Sequence, residues 1–394
     1  MRPSSSRRGA AAAVAALAAA LLLAACGSGS SADGDAGAVE APEGPDGASR
    51  EFTTDFSRHS VPLEEFTSGG PPKDGIPAID DPRFVSVNEA DSFLDPGEPV
   101  AVLEVGGEVH AYPIQILVWH EIANDMIAGQ PVAVTYCPLC NSTVAFSREV
   151  DDRVLDFGTT GRLRNSDLVM YDRQTESWWQ QLTAEAVVGE LTGSKLEVLP
   201  SQILSWKEVQ RVHPDAEVLS RDTGVSRDYG ATPYAGYEDP DSQPFLLEGR
   251  ADDRLPPKER VTAIQAADGS AVVYPFSRLA RDAPINDRLG GRPVVVLFDR
   301  EVKSALDDTS LAASDEVGAA AVFERTLDGR ELSFEAAEEP GAARDRETGS
   351  TWDTTGRAVS GQLEGERLRQ IPSDDQFWFA LAAFIEDVDI RVGS

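Results

Sequence analysis

Pro99 to Glu104 and Glu108 to Tyr112 alternate in apolar and polar character well enough to be paired strands, with Gly106-Gly107 between them. A period of two broken by a glycine pair predicts a β-hairpin, and Pro99 falls at the first strand position, where a missing N–H is tolerated. From Pro113 to Ile127 the spacing changes. Ile114, Val118, Ile122 and Met126 recur every four residues, Pro113 suits a first helical turn and Gly129 suits an exit, so this stretch predicts a helix. Ile116, Trp119 and Ile127 put apolar bulk on its other faces, which predicts burial, and His120 lies off the main stripe with Asn124 one turn on. Val132 to Tyr136 is a short buried strand that delivers Cys137. Thr143 to Ser147 and Arg153 to Phe157 are expected to pair across Asp151-Asp152. Leu168 to Tyr171, Ala186 to Val188 and Leu196 to Leu199 read as further strands, and Ser205 to Val212 as a short helix before His213-Pro214. Strands dominate, so the pattern predicts a strand-rich α+β fold rather than a parallel doubly wound sheet.

The pattern also occurs twice. Tyr112-Pro113 matches Tyr274-Pro275, Asn124-Asp125 matches Asn286-Asp287, and Gly129-Gln130-Pro131-Val132 matches Gly291-Arg292-Pro293-Val294, all at an offset of 162. After an insertion in the second copy, Phe146 and Phe157 match Phe323 and Phe334 at 177. Asp172 to Trp178 matches Asp345 to Trp352, with Asp, Arg, Thr and Ser at 173. Gly189, Leu191, Gly193, Leu196 and Pro200 match Gly361, Leu363, Gly365, Leu368 and Pro372 at 172. Matching blocks in one order predict two tandem related domains from an internal duplication, a first over 51–220 and a second, degenerate one over 261–394. The intervening 221–260 is rich in Gly, Pro and Asp, holds Tyr229, Tyr234 and Tyr237, and reads as a linker.

The first 25 residues read as export machinery. Arg2, Arg7 and Arg8 precede an apolar run from Ala10 to Leu22 that is short for a membrane span. The run closes in Leu23-Ala24-Ala25-Cys26, which resembles a bacterial lipoprotein signal with Cys26 acylated. The expected location is extracytoplasmic, anchored to the cell membrane through that lipid. Residues 26–50 are Gly, Ser, Ala, Asp and Glu with little to bury, which predicts a flexible tether, with order beginning between Phe52 and Phe66. Across 394 residues the charged fraction is 26% and the hydrophobic fraction 41%, a globular composition. Loss of the three leader arginines takes the formal charge from −32 to −35. A surface that acidic repels nucleic acid and anionic lipid headgroups.

Removing Cys26 from the three cysteines leaves Cys137 and Cys140, in Tyr136-Cys137-Pro138-Leu139-Cys140-Asn141. Outside the cytoplasm such a dithiol oxidises unless a metal or a reducing partner holds it. Three readings stand. A disulfide across so small a loop is a weak staple, suited to a non-catalytic envelope scaffold. A thiol–disulfide oxidoreductase wants a helix N-terminus facing the sulfur, and Asn141 to Phe146 looks like strand instead. Two thiolates at this spacing are half of a zinc site or part of a copper site, with His120 the best-placed third ligand. Glu121, His213, Met170 or water would be the fourth. Cys137, Cys140 and His120 align with Asp299, Val302 and Asp282 in the second copy, so the soft ligands belong to the first copy alone. His120-Glu121 is not a metalloprotease helix, since position 124 is Asn. No nucleophile elbow, phosphate loop or dinucleotide fingerprint occurs.

Trp119-His120-Glu121, Asn124-Asp125, Thr135 to Cys140, Phe157-Gly158, Met170-Tyr171-Asp172-Arg173 and Gly189 together resemble a bacterial and archaeal family, domain of unknown function 3179, over about residues 70–390. The resemblance implies no established activity. It implies that the His-Glu and Cys-Pro-x-Cys blocks share one site.

Overall fold

Strand pairing puts the two halves of the chain into matching frames. The computed structural model describes residues 43–240, 242–249, 251–338 and 341–392. The expected signal peptide, the expected acylation site Cys26 and the expected tether up to residue 42 lie outside them. In the first half, Pro99–Val105 and Glu108–Pro113 form the expected hairpin, with Gly106 and Gly107 both at positive φ. That hairpin is flanked by Ser201–Ser205 on one side and Glu217–Leu219 and Phe84–Ser86 on the other. A second sheet runs Val198–Leu199, Ser142–Ser147, Gln130–Cys137, Ile122–Ile127, and a third runs Phe66–Ser68, Phe157–Arg164, Asp167–Asp172, Trp178–Gln180, Glu185–Val188.

The second half has three sheets in the same order. Asp374–Phe377, Arg260–Gln265, Ala271–Pro275 and Val388–Ile390 make one. Ile285–Leu289, Arg292–Asp299, Ala319–Glu324 and Gln370–Ile371 make the next, and Phe334–Ala336, Ala343–Asp345, Thr351–Trp352 and Ala358–Ser360 the third. Short helices, Ile114–His120 and Trp206–Val212 in the first half, Phe276–Asp282 and Trp378–Ala382 in the second, follow strands on the first sheet of each half. The architecture is strand-rich α+β, and the described residues form one compact unit. Its largest core joins Phe146, Phe157, Trp179 and both cysteines to Ala305, Leu306, Phe377 and Phe379 from beyond residue 300.

The polar braces are shared as well. The Asn124 side chain exchanges two hydrogen bonds with the Phe157 backbone, at 2.8 and 3.0 Å, and Asn286 does the same with Phe334, at 2.7 and 2.8 Å. The Trp179 indole N–H donates to Asp172 Oδ2 at 2.9 Å, as Trp352 does to Asp345 at 2.9 Å. Buried polar groups in each frame are therefore satisfied by the same local rule.

Four expectations need correction. The predicted helix from Pro113 to Ile127 ends at His120, and Ile122–Ile127 is a strand paired with Gln130–Cys137. A spacing of four is an even step, so Ile122 and Met126 satisfy strand alternation as well as helical periodicity, and Met126 is in fact exposed. Thr143 to Ser147 pairs with Gln130–Cys137 and Val198–Leu199, while Arg153-Val154 pairs only with Glu149-Val150. Order starts before Phe52: Pro45–Arg50 is a 3-10 turn whose Ala48 packs with Phe52, Phe56 and Trp178. The partner of Trp352 is Trp179, which makes the same bond to an aspartate seven residues earlier; Trp178 packs against Phe52, Phe56 and Phe66 instead.

Because Asp172 and Asp345 are both fully buried, removing the indole donor leaves a charge-bearing acceptor short of a partner. Trp179→Phe and Trp352→Phe should each destabilise the protein by about 1–3 kcal/mol in urea unfolding. A cost at one position and none at the other would show that the two braces are not equivalent.

Candidate functional site

Two tight turns face each other. The first joins Gln130–Cys137 to Ser142–Ser147 through Pro138, Leu139, Cys140 and Asn141, with Cys137 opposite Ser142 in the register. Asn141 N–H donates back to Pro138 O at 3.3 Å, and Asn141 takes positive φ, which Asn tolerates better than most residues. This closed turn brings the two sulfurs to one side. No helix begins at Cys140, so no helix N-terminus stabilises a thiolate there.

The second turn joins Phe157–Arg164 to Asp167–Asp172. Arg164 pairs with Asp167, leaving Asn165 and Ser166 as a two-residue loop, both at positive φ, which is the signature of a type I′ hairpin turn. It aims one carbonyl and one carboxylate at the sulfurs. Ser166 O lies 3.8 Å from Cys137 Sγ and 3.7 Å from Cys140 Sγ, and Cys140 Sγ lies 3.4 Å from Asp167 Oδ1. The other carboxylate oxygen is held: Gln180 Nε2 donates to Asp167 Oδ2 at 2.5 Å and Leu182 N–H at 3.1 Å. One donor atom each from Cys137, Cys140 and Asp167 lies within 4.8 Å of the other two, and all three residues are buried.

Glu121 flanks the cluster. It caps the Ile114–His120 helix in a left-handed conformation, φ 59°, ψ −28°, where glycine is the usual residue. Its N–H still bonds Leu117 O at 2.7 Å, and its carbonyl accepts from Tyr136 N–H at 2.8 Å, which fixes it beside the strand end that carries Cys137. Burial, with the Asp167 charge added, pushes the Glu121 carboxyl up to about 8. Burial raises Asp167 to about 6 against its hydrogen bonds from Gln180 and Leu182, which pull the other way. Both thiols are pushed up, first by desolvation; Asp167 and Glu121 add to it at Cys137, and Cys137 and Asp167 at Cys140.

His120 does not join the three ligand atoms that meet. Its Nδ1 lies 2.7 Å from Pro77 O and its Nε2 2.7 Å from the Tyr229 hydroxyl, with the two rings stacked at 5.9 Å. Both ring nitrogens are thus engaged, and burial lowers the imidazole pKa. Met170 is a core residue, packed on the strand beside Trp179. His213 caps the Trp206–Val212 helix and lines a surface groove with His110 and Glu217. The acceptor missing from the sequence reading is Asp167. A signal for it exists: Phe157 pairs with Asp172 and Phe334 with Asp345, so the first hairpin is longer by four residues, and Asp167 sits in that extra length.

Among the described residues, 221–259 has no helix or strand element, and its tyrosines cover the site. Tyr229, Tyr234 and Tyr237 pack on the core cluster that contains the cysteines. The Tyr234 phenol is pushed up by burial and by the charges of Glu121 and Cys137. Ser166 Oγ donates to Phe245 O, and Tyr237 N–H donates to Leu306 O at 3.1 Å, which ties this cover to the hairpin turn and to the second half.

A family model described as protein of unknown function (DUF3179) matches residues 73–388, a span that contains both turns, Glu121 and the tyrosine cover. No curated protein and no solved structure matches.

The raised Glu121 carboxyl makes a signed prediction. Its folded value, about 8, stands above the ordinary carboxylate value of 4.5, so between these pH values the native state keeps a proton that the unfolded chain has released. Stability in the metal-free protein is therefore lost as pH rises through that window, by up to about 1.4 kcal/mol per pH unit from this group. Glu121→Gln should remove that component, so the variant gains stability relative to wild type between pH 5 and 8. Parallel stability–pH curves would show that Glu121 is not held neutral.

Proposed function

The chain belongs to the family of proteins of unknown function DUF3179, and we propose, from the site itself, that it binds one thiophilic divalent cation through Cys137, Cys140 and Asp167. The observation that carries this reading is the meeting of two sulfurs and a carboxylate oxygen within 4.8 Å of one another in the protein interior. Burial and the neighbouring acids push both thiols toward their protonated state in the absence of a cation, and a bound cation removes that cost by exchanging protons for metal. A donor set of two thiolates and one carboxylate suits zinc, which accepts sulfur and oxygen alike, better than cuprous copper, which favours sulfur. Gln180 and the Leu182 amide, fixing the far oxygen of Asp167, are the outer partners that such a ligand needs.

The alternative, a thiol–disulfide oxidoreductase, is disfavoured by the direction of the thiol pKa shifts. An attacking sulfur wants its thiolate stabilised, and here Asp167 and Glu121 act against it. A scaffold whose disulfide stiffens the turn is the third reading; the two thiols are unbonded in this structure.

We further propose that the two halves derive from one duplicated unit. The matched sheet orders, the paired Asn and Trp–Asp braces and the ordered sequence blocks support this. We also propose that the mature protein is held at the outer face of the cell membrane by a lipid on Cys26. The basic leader and Leu23-Ala24-Ala25-Cys26 support that reading.

Metal analysis should find close to one zinc per chain. Cys137→Ser, Cys140→Ser and Asp167→Asn should each weaken zinc by more than the roughly 10–100-fold typical of outer-shell changes, and His120→Gln by less. Loss in His120→Gln equal to that in Asp167→Asn would restore the imidazole as a ligand. A metal-free dithiol whose reduction potential lies well above about −300 mV would replace the metal reading with the redox one.

A further inference from the structure

The second half reaches the cysteine turn with a single strand. Phe377 N–H donates to Cys140 O at 2.9 Å, and Thr143 N–H donates to Asp374 Oδ1 at 3.0 Å, so Asp374–Phe377 runs antiparallel along Cys140 to Thr143. Strand alternation then sorts its side chains. Asp375 shares one face with Tyr136, Asn141 and Thr143, and these line a small cavity with Arg260. Both Asp375 oxygens are taken there, by the Thr262 hydroxyl at 2.6 Å and by Ala320 N–H at 2.8 Å.

Asp374 and Gln376 lie on the opposite face. In the register of the cysteine hairpin that is the side of Cys137 and Ser142. Gln376 is fully buried, and neither its Oε1 nor its Nε2 has a hydrogen-bond partner. Asp374 is partly buried as a residue, and its Oδ2 is buried and likewise unpartnered. Asp374 also stands close enough to Asp167 for the two carboxyl groups to repel. The corresponding place in the first half, Leu204, is an ordinary core leucine. Native interiors seldom bury a whole primary amide without a partner, and where they do a ligand or ordered water fills the gap. Here three unfilled polar atoms lie on the one strand that bonds to Cys140.

We infer that Gln376 and Asp374 form the receiving wall for a small uncharged exogenous ligand at the fourth coordination position of the metal centre. The inference rests on the metal reading given above. Three protein donors leave one position of a tetrahedral cation open, the arrangement of centres that exchange ligands rather than merely staple a fold. Gln376 offers two N–H donors and one carbonyl acceptor, and Asp374 a further oxygen. Such a wall suits a molecule of a few heavy atoms that coordinates through nitrogen or oxygen and also exchanges hydrogen bonds, water being the smallest. Asp167, Glu121 and Asp374 make the chamber unfavourable for an anion. The second half thus supplies the ligand side of a centre whose metal side lies in the first.

The test uses the cobalt(II)-loaded full chain, with imidazole as the probe. Visible d–d bands report the coordination sphere, and a sulfur-to-cobalt charge-transfer band reports the thiolates. Gln376→Leu conserves volume and removes the unpartnered amide, so the metal-free variant should be at least as stable as wild type. Asp374→Asn keeps the acceptor for Thr143 and serves as the second variant. Imidazole should shift the wild-type d–d bands, and each variant should bind it about tenfold more weakly while retaining the charge-transfer band. Bands indifferent to imidazole in wild type, or equal imidazole affinity in all three proteins, overturn the wall and leave the metal site standing. Absence of the charge-transfer band in wild type removes the metal reading and this inference together.

Discussion

Burying acids without a compensating charge is the constraint around which this structure is arranged. Two thiols, Asp167 and Glu121 share a dry pocket in which the nearest charges acting on each are those of the others. Such a group is stable in three ways: protonated, paired, or bound to a cation. The raised carboxyls and thiols describe the protonated state, and they define what a cation would displace. The same constraint explains why Asp167 has one oxygen fixed by Gln180 and Leu182 while the other faces Cys140. A carboxylate held this way spends no side-chain freedom on binding, and its orientation survives the loss of its proton.

Geometry at the pocket is bought with backbone strain. Glu121, Asn141, Asn165 and Ser166 all take positive φ. Two of these are Asn, which tolerates the conformation, and Ser166 completes a hairpin turn that demands it. Glu121 has no such excuse. A glycine would cap that helix without penalty, whereas the glutamate brings a buried carboxyl beside Asp167 and Cys137. Strain at a buried carboxyl that also repels its neighbours is a doubly unfavourable choice unless something binds there.

The local patterns were readable from the sequence, and the long-range meetings were not. The glycine-centred hairpin, the strand into Cys137, the absence of a helix after Cys140 and the helix before His213 each follow from a few adjacent residues. The stretch after His120 misled because a spacing of four satisfies both periods, and strand pairing with Gln130–Cys137 decided between them. His120 looked like a ligand because it is close to the cysteines in sequence. Its ring is instead consumed by Pro77 and by Tyr229, a residue 109 positions away. Asp167 is the reverse case: 27 residues beyond Cys140, in a hairpin whose register no local pattern sets, it is the side chain that arrives. The tyrosines of 221–260 were legible as a cluster, but their role as a cover depends on which core they meet.

The matching sheet of the second half carries different side chains at the equivalent turn. Where the first half has Cys137, the second has Asp299, buried and bonded to its own Glu301 amide at 2.9 Å and to the Ser205 hydroxyl at 3.3 Å. Where the first has Cys140, the second has Val302, a core residue. A carboxylate with a donor on each oxygen needs no cation, so the second turn is stable as it stands. The first turn is not satisfied by its own half: the carbonyl of Cys140 bonds to Phe377 and the amide of Thr143 to Asp374. Exchange of this kind ties the halves together at the site itself. The half with ordinary packing can then afford to carry Gln376 unpartnered, since the rest of its sheet holds the strand in place.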